Sequence, residues 1–292
     1  MKEYEAKVFS QEKYSLGESP FYDHRTKTLS WVDISEGKFY TADNDGLGAV
    51  KKYDLGQAIG AAVPAQAPGS YVIAGTDGLY LLEKESSRLI KNLTEYYESY
   101  QRSNDAKADP AGRLFFGSSV DDGIHEASGN LFCVDLAGNK EIQIREPNTK
   151  ISNGMAWSKD HKKFYFSDTL QYAIFEYDYD LATGTISNRK VLFKPEQGHG
   201  FTDGMCIDAD DNLWIAFWEG SRLEQRSTKD GSLLATVKVN AQNVTSCCFF
   251  GDNLDTLLIT TSGRGLNGKY DGCLFTCKVD AVGTKCDFCK IR

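Results

Sequence analysis

The sequence predicts an all-β protein, and more narrowly a six-bladed β-propeller. Three observations lead to this fold class. Short runs rich in Tyr, Phe, Val and Ile are bounded by Gly, Asn and Asp, while helix signals are scarce. One pattern of polar head, apolar run, turn and aromatic strand recurs along the chain. The N-terminal segment EYEAKVF has the alternation of a strand that could complete the last repeat.

Length and composition set the class of protein. With 292 residues, 41% of them apolar, the chain can bury a large core, and we expect residues 1–292 to form a single propeller domain. The net charge of −8 and the scattered Lys and Arg argue against nucleic acid or an anionic membrane as partner. Neither a secretory h-region nor an apolar run of about 18 residues is present, so we expect a cytoplasmic protein.

The 8 cysteines are expected to be reduced, buried thiols. A zinc site is the alternative for four of them, Cys273, Cys277, Cys286 and Cys289, which follow a C-x3-C and C-x2-C spacing. However, GCLFTCKVD has the pattern of a strand, in which residues four apart are separated by about 13 Å. That separation is too long for one tetrahedral ion, so we favour thiols.

The repeat has a constant internal geometry. Each copy begins with a small or polar head and reaches its second strand 10 to 12 residues later. Six heads can be identified, at Glu18, Gly60, Asn104, Asn153, Asp203 and Thr245. Successive heads are 42, 44, 49, 50 and 42 residues apart, which is room for four strands. Six repeats of four strands predict six blades, and closure by the N-terminal strand would remove the open edge. A large β-sandwich is the less favoured alternative.

The heads should meet in the channel, because the first strand of each propeller blade lines the axis. The residues that would then converge from different repeats are Glu18, Gly60, Asn104-Asp105, Asn153, Asp203 and Thr245-Ser246. Carboxylates and amides gathered in this way favour a hard divalent cation among them. Taken singly, Asn153-Gly154 and Asp203-Gly204 could be ordinary β-turns. Their common phase in the repeat favours the site.

Several long motifs resemble one known family. They include LGESP, NDAKADPAGRLFFG, ISNGMAWSKDHKKFYFSDT, TDGMCIDADDNLWIAFWEG and VTSCCFFG. In order and over nearly the whole chain, they are similar to the SMP-30/gluconolactonase/LRE family, which is regucalcin-like. This resemblance implies a six-bladed propeller that binds one divalent metal in its central channel and hydrolyses sugar lactones. The metal could be Ca²⁺, Zn²⁺, Mn²⁺ or Mg²⁺.

The resemblance also implies roles for individual residues. Metal ligands fall on Glu18, Asn153 and Asp203, and Asp203 would accept the proton of the attacking water. Substrate contacts fall on Arg102 and Asn104, and further ones on Asp121 and Asp122, where the family tends to carry Glu. Two residues remain open. Asp105 is either another hydroxyl contact or a structural acceptor, and His199 is close enough in sequence to Asp203 to touch substrate.

The implied function is a carboxylic ester hydrolase acting on a small sugar lactone. No G-x-S-x-G motif competes with this mechanism. One alternative is a metal-dependent phosphotriesterase on the same scaffold, which an apolar channel would favour. Another is a non-enzymatic calcium-binding regulator. We further expect Trp218 and Tyr172 to pack between blades rather than to line a pocket.

Overall fold

The chain folds as a six-bladed β-propeller, which confirms the predicted fold class. This is seen in a computed structural model that describes residues 1–120 and 122–292. The described residues form six sheets, and the innermost strand of each sheet contacts the innermost strand of the next. The contacts run around the ring and return to the first blade, so the six inner strands enclose a central channel.

The strands follow one another from the channel outward in the first four blades, and in the last two an N-terminal strand is outermost. The first two strands precede the first blade and are β1 (Lys2–Glu5) and β2 (Lys7–Ser10). Blades one to three contain β3 (Gly17–Asp23), β4 (Thr28–Asp33), β5 (Lys38–Ala42), β6 (Val50–Asp54), β7 (Ile59–Pro64), β8 (Tyr71–Gly75), β9 (Gly78–Glu83), β10 (Ser86–Asn92), β11 (Gln101–Ala108), β12 (Leu114–Val120), β13 (Gly129–Val134) and β14 (Ile142–Thr149). Blades four to six contain β15 (Ser152–Trp157), β16 (Lys163–Asp168), β17 (Ala173–Asp180), β18 (Thr185–Phe193), β19 (Phe201–Ile207), β20 (Asn212–Trp218), β21 (Arg222–Ser227), β22 (Leu233–Lys238), β23 (Asn243–Phe250), β24 (Thr256–Ser262) and β25 (Leu274–Lys278). A 3₁₀ turn over Thr169–Gln171 joins β16 to β17.

The N-terminus closes the ring, as the sequence predicts, but it serves two blades rather than one. Strand β2 pairs antiparallel with β25 and supplies the fourth strand of the sixth blade. Strand β1 pairs parallel with β22 and adds a fifth strand to the fifth blade. The change of partner occurs at Ala6, whose amide donates to the Lys238 carbonyl. The N-terminus thus links the fifth and sixth blades.

Two N-terminal deletions should separate these contributions. Deleting residues 1–5 leaves four strands in the fifth blade, and we expect a loss of about 1 kcal/mol in unfolding free energy. Deleting residues 1–10 also exposes the edge of β25 and removes Phe9, whose ring lies 6.3 Å from that of Phe250. We expect this deletion to cost more than about 4 kcal/mol and to promote aggregation. Urea midpoints and light scattering measure both, and equal losses would contradict this account.

The core lies between neighbouring blades. Phe115 of the third blade packs against Trp157 and Phe164 of the fourth, with ring centroids 5.2 and 5.5 Å apart. Similar apolar clusters fill other blade interfaces. The twisted sheets pack face to face, and this packing holds the inner strands at fixed positions around the axis. The positions of side chains in the channel are therefore set by the blades behind them.

The C-terminal segment crosses one face of the ring. This is the face that carries the turns between the first and second strands of the blades. The amide of Cys289 donates to the Pro64 carbonyl of the second blade, and that of Lys290 donates to Gly112 of the third. Cys286 Sγ lies 3.1 Å from the carbonyl oxygen of Tyr22 in the first blade. The segment covers this end of the channel, which leaves the opposite end as the mouth. Among the described residues, no helix has the length and apolar character needed to cross a membrane.

Candidate functional site

A cavity of about 500 Å³ opens at the mouth of the channel. It is lined by five of the residues that the sequence singles out, Glu18, Arg102, Asn104, Asn153 and Asp203. They come from the first, third, fourth and fifth blades, and up to 185 positions separate them along the chain, from 18 to 203. Four of them, all but Arg102, are buried, with 5% to 7% of their surface exposed. Four of the six predicted heads, Glu18, Asn104, Asn153 and Asp203, therefore converge on this cavity, whereas Gly60 and Thr245 do not line it.

Each head lies at an irregularity of its inner strand. The pairing register shifts between Glu18 and Phe21, and shifts occur at the same phase of the other five blades. A β-bulge leaves residues unpaired, bends the strand and redirects its side chains. Ser19, inside the first-blade bulge, adopts φ 50°, and its amide donates to Glu18 Oε2 over 2.7 Å. The bulges hold the polar heads toward the axis.

Gly154 and Gly204 follow two of the heads because neighbouring inner strands approach closely there. A Cβ on Gly154 would lie 2.7 Å from the amide nitrogen of Met205, and one on Gly204 would overlap the Ser246 side chain. Neither glycine has a positive φ, and both lie within strands. The alternative interpretation of Asn-Gly and Asp-Gly as β-turns is thus wrong. Glycine is required here for packing rather than for turning.

The two asparagines and Arg102 form a connected hydrogen-bond network. Asn104 Nδ2 donates to the Ser152 carbonyl at 2.8 Å and to Asn153 Oδ1 at 3.2 Å. Asn104 Oδ1 accepts from Arg102 Nη1 at 2.8 Å, and Asn153 Nδ2 donates to Thr169 Oγ1 at 2.9 Å. Both donors of Asn104 are therefore engaged with the fourth blade. It retains one acceptor lone pair, so its part in binding a ligand would be to accept.

Three carboxylates are gathered below this network. Burial, and secondarily the charges of Asp203 and Asp105, raise the pKa of Glu18 well above its ordinary value. Burial and then Asp105 do the same to the pKa of Asp203. Asp105 lies deeper and is not among the residues that line the cavity; its Oδ1 accepts from the Ala106 amide at 2.8 Å. This favours the structural role for Asp105 over direct contact with a substrate.

The donor set fits a hard divalent cation. Glu18 and Asp203 offer buried carboxylate oxygens, and Asn153 presents Oδ1 because its Nδ2 is held by Thr169. Oxygen-only sets of this kind suit Ca²⁺, Mg²⁺ or Mn²⁺, and two repelling carboxylates gain from a positive charge between them. In the described part of the chain, no three or more His, Cys, Asp or Glu side chains form a ready metal cluster. The candidate set instead includes an amide.

The predicted acidic pair lies partly outside the structure. Asp121 is outside the described residues. Asp122 is described, but it is not among the residues that line the cavity. Its carboxylate accepts from the amides of Ile124 and His125, and its Oδ2 lies 2.6 Å from His125 Nδ1. The amide and ring of His125 lower the pKa of Asp122 to about 2, and the same ring stacks on Tyr100 at 3.8 Å. Asp122 thus orders its own loop.

His199 is also placed away from the cavity. Its side chain is 62% exposed, and Nδ1 lies 3.7 Å from Glu196 Oε2. The backbone carbonyl accepts from Arg222 Nη1, which fixes the loop between the fourth and fifth blades. Closeness in sequence to Asp203 does not bring the imidazole to the site, because Gly200 turns the chain with φ 88° just before β19.

A second set of lining residues was not expected from the sequence. Leu16, Ile151 and Phe201 lie two positions before the heads of the first, fourth and fifth blades, and they line the cavity nearer the mouth. Trp218 joins them, so the expectation that it packs only between blades is wrong. Side chains two apart on a strand share a face, so the pattern was readable once the heads were assigned to the channel wall.

The opposite end of the channel contains a separate cavity of about 220 Å³. Lys107, the last charged residue of β11, lies beside it and donates to the carbonyls of Met155 and Met205 in the next two blades. Cys206 and Cys247 also line it, with their sulfurs 3.5 Å apart. All eight cysteines are unbridged thiols. Burial raises the pKa of Cys206 well above its ordinary value, so the thiol is protonated and unreactive.

Comparisons with known proteins agree with this architecture. The family model described as SMP-30/Gluconolactonase/LRE-like region matches residues 16–263. Regucalcin from Danio rerio is 33% identical over 283 residues, which covers 94% of each chain. A solved luciferin-regenerating enzyme superposes with a TM-score of 0.91 at 32% identity, covering 98% of this chain and 99% of that one. A solved gluconolactonase from Xanthomonas campestris has a TM-score of 0.71 at 18% identity, covers 94% and 89% respectively, and shares the fold.

Proposed function

Since the chain belongs to the SMP-30/gluconolactonase/LRE-like family, we propose that it is a metal-dependent hydrolase that opens lactones, with sugar lactones as the first class to test. The observation that carries the proposal is the grouping of Glu18, Asn153 and Asp203 at the floor of one cavity, beside Arg102. Buried carboxylates gathered in one cavity are characteristic of sites that bind a cation or move a proton.

Glu18, Asn153 and Asp203 would hold the metal. A bound divalent cation would supply polarisation of the ester carbonyl and a lowered pKa for a nearby water. The chain provides the remaining functions. Asp203 accepts the proton of the attacking water, because its carboxylate lies at the cavity floor beside the proposed metal site. Water oxygen bonds to the carbonyl carbon, the ring carbon–oxygen bond breaks, and the proton passes to the departing ring oxygen. The product is the open hydroxy acid.

Arg102 and Asn104 orient the substrate in this proposal. Arg102 lines the cavity, and its guanidinium is held by the Ser103 carbonyl at 2.9 Å and by Asn104 Oδ1. It presents N–H donors to ring or carbonyl oxygens, while Asn104 accepts from a hydroxyl. A side chain fixed in this way loses little freedom on binding, which favours productive orientation of the ester.

Two other functions remain to be separated from this one. Phosphotriester hydrolysis is the second candidate, because the apolar residues near the mouth would suit its alkoxy groups. A calcium-binding regulator would need the metal but no turnover. Paraoxon hydrolysis tests the first, and calcium binding without turnover of any ester would indicate the second.

The test is a metal-by-substrate assay. Purified protein with Ca²⁺, Zn²⁺, Mn²⁺ or Mg²⁺ should acidify a weakly buffered solution of D-glucono-1,5-lactone above the spontaneous rate. EDTA should abolish the acceleration, and the metal that restores it should also raise the melting temperature. Glu18→Gln is expected to lose the thermal shift together with the activity. If no lactone is hydrolysed with any of these ions, the proposal is wrong.

A further inference from the structure

The cavity has two layers of different chemistry. The floor is polar and contains the heads Glu18, Asn104, Asn153 and Asp203. Nearer the mouth, the residues two positions before three of the heads are hydrocarbon, namely Leu16, Ile151 and Phe201. The third blade places Arg102 at this level, and two further charged side chains, Glu219 and Arg264, also line the cavity. Successive same-face residues on a strand are about 6.6 Å apart, so the apolar layer begins one side chain above the floor.

Loops between the second and third strands extend the apolar layer. Ile34 lies after β4, Leu170 is in the 3₁₀ turn after β16, and Trp218 ends β20; all three line the cavity. Trp218 of the fifth blade packs against the cluster of the first and second blades that contains Leu16 and Ile34. The apolar wall is therefore continuous from Leu16 to Trp218, and we call it the upper layer, comprising Leu16, Ile34, Ile151, Leu170, Phe201 and Trp218.

Part of the upper layer is exposed to solvent. Leu170 is 38% exposed, and Tyr172, just beside the cavity, is 41% exposed. The Tyr172 and Phe201 rings pack together with centroids 4.9 Å apart, which extends the apolar surface onto the rim. Apolar surface held at the mouth of a polar pocket is stabilised when a ligand covers it.

A bare sugar lactone does not match this layer. Its ring hydroxyls would lose water hydrogen bonds against hydrocarbon, and each unpaired hydroxyl would oppose binding. The cavity of about 500 Å³ also extends beyond the floor that the ester must reach. A molecule that carries a polar ester at one end and a hydrocarbon group at the other would satisfy both layers. Because the two layers belong to one cavity, one ligand could carry both the ester and the hydrocarbon group.

We propose that the upper layer binds an alkyl or aryl substituent of the substrate, so that the preferred substrate is a lactone with a hydrocarbon group on its ring. The proposal rests on the proposed function for the nature of the ester. The lactone ring occupies the polar floor, and its substituent lies against Leu170, Phe201 and Trp218. Bare aldonolactones are then poorer substrates than substituted ones.

The first experiment is a chain-length series. With the activating metal bound, kcat/KM is measured for δ-valerolactone, δ-octalactone, δ-decalactone and δ-dodecalactone. We expect kcat/KM to rise about fourfold for each methylene buried until the chain reaches the rim, after which it levels off. The same series is repeated by calorimetry with the corresponding δ-lactams, which bind without being hydrolysed. Tighter binding of the alkyl lactams with a more negative heat-capacity change is expected.

The second experiment uses a matched pair of variants. Leu170→Ser is expected to lower the ratio of kcat/KM for δ-decalactone to that for δ-valerolactone about fivefold. Leu181→Ser is the control, because Leu181 belongs to the same blade, is 40% exposed and lies in the turn between β17 and β18, where it does not line the cavity. This control should leave the ratio unchanged.

The outcomes separate this inference from the proposed function. If δ-valerolactone is hydrolysed but neither the lactones nor the lactams depend on chain length, the inference is overturned and the function stands. If no lactone is hydrolysed, the function fails, and the lactams alone decide whether the upper layer binds hydrocarbon. A dimer in light scattering that Leu170→Ser dissociates, without any chain-length dependence, would assign the layer to contact between copies and also overturn the inference.

Discussion

Asp203→Asn is expected to lower kcat/KM for lactone hydrolysis by about 10³-fold while the protein stays folded. Asn keeps the size of the side chain but cannot accept the proton of the attacking water. It also removes one of the two carboxylates offered to the metal. Because Glu18, Asp105 and Asp203 repel one another in a buried setting, the metal-free variant should melt at the same temperature as the native protein or higher.

The control for this variant is Asp210→Asn. Asp210 belongs to the same blade but is exposed in the turn that follows the inner strand, at the other end of the channel. The same chemical change there should leave both kcat/KM and melting unaltered. Activity is measured by acid release with the restoring metal present, and melting by circular dichroism without it. Loss of less than about tenfold for Asp203→Asn would remove Asp203 from the proposed role of base.

Among the single substitutions, Asp109→Ala should have the largest effect on stability, with a loss of about 3 to 5 kcal/mol. Asp109 lies in the DPAG turn but is fully buried. It accepts from the Arg113 amide at 2.8 Å, from Arg113 Nε at 2.6 Å and from the Tyr179 hydroxyl at 2.6 Å. Arg113 in turn donates to the Leu181 carbonyl at 2.6 Å, which joins the third blade to the fourth. The substitution leaves a buried guanidinium without its counter-charge.

Asp135→Ala is the matched control. Asp135 belongs to the same blade and also accepts two backbone amides in its turn, those of Ala137 and Gly138 at 3.0 and 2.9 Å, but it is exposed. We expect a loss of no more than about 1 kcal/mol. Urea denaturation of both variants gives the comparison. If the two variants lose equal stability, Asp109 contributes only its turn hydrogen bonds, and the buried ion pair adds nothing.

The fold was largely readable from the sequence. The near-constant spacing of the heads and the fixed distance from head to second strand predicted six blades, because a propeller repeats one local unit around an axis. That same symmetry predicted that Glu18, Asn153 and Asp203 would meet, since equivalent positions of a repeat face the same channel. Local pattern was sufficient because each blade is formed by strands that are adjacent along the chain, apart from the N-terminal strands β1 and β2.

Assignments that depended on loops were less reliable. Asp122 was assigned from the family resemblance and His199 from its closeness to Asp203 in sequence. Neither lines the cavity, since each is engaged within its own loop. Turn chemistry likewise led to Asn153-Gly154 and Asp203-Gly204 as β-turn alternatives, although Gly154 and Gly204 lie in strands. Glycine is required at these positions because the neighbouring inner strand leaves no space for a Cβ, and a single sequence does not show which strand that is.

By itself, the sequence determined the number of blades, the closure by the N-terminus and four of the polar heads that line the cavity. These features follow from period and alternation, which are local properties of a strand. Only the tertiary structure decided that bulges redirect the heads, that Asp109 holds a buried ion pair between two blades, and that Leu170 and Trp218 place hydrocarbon above a polar floor. The physical reason is that these features depend on which side chains of different blades come within contact distance, and packing between blades sets that.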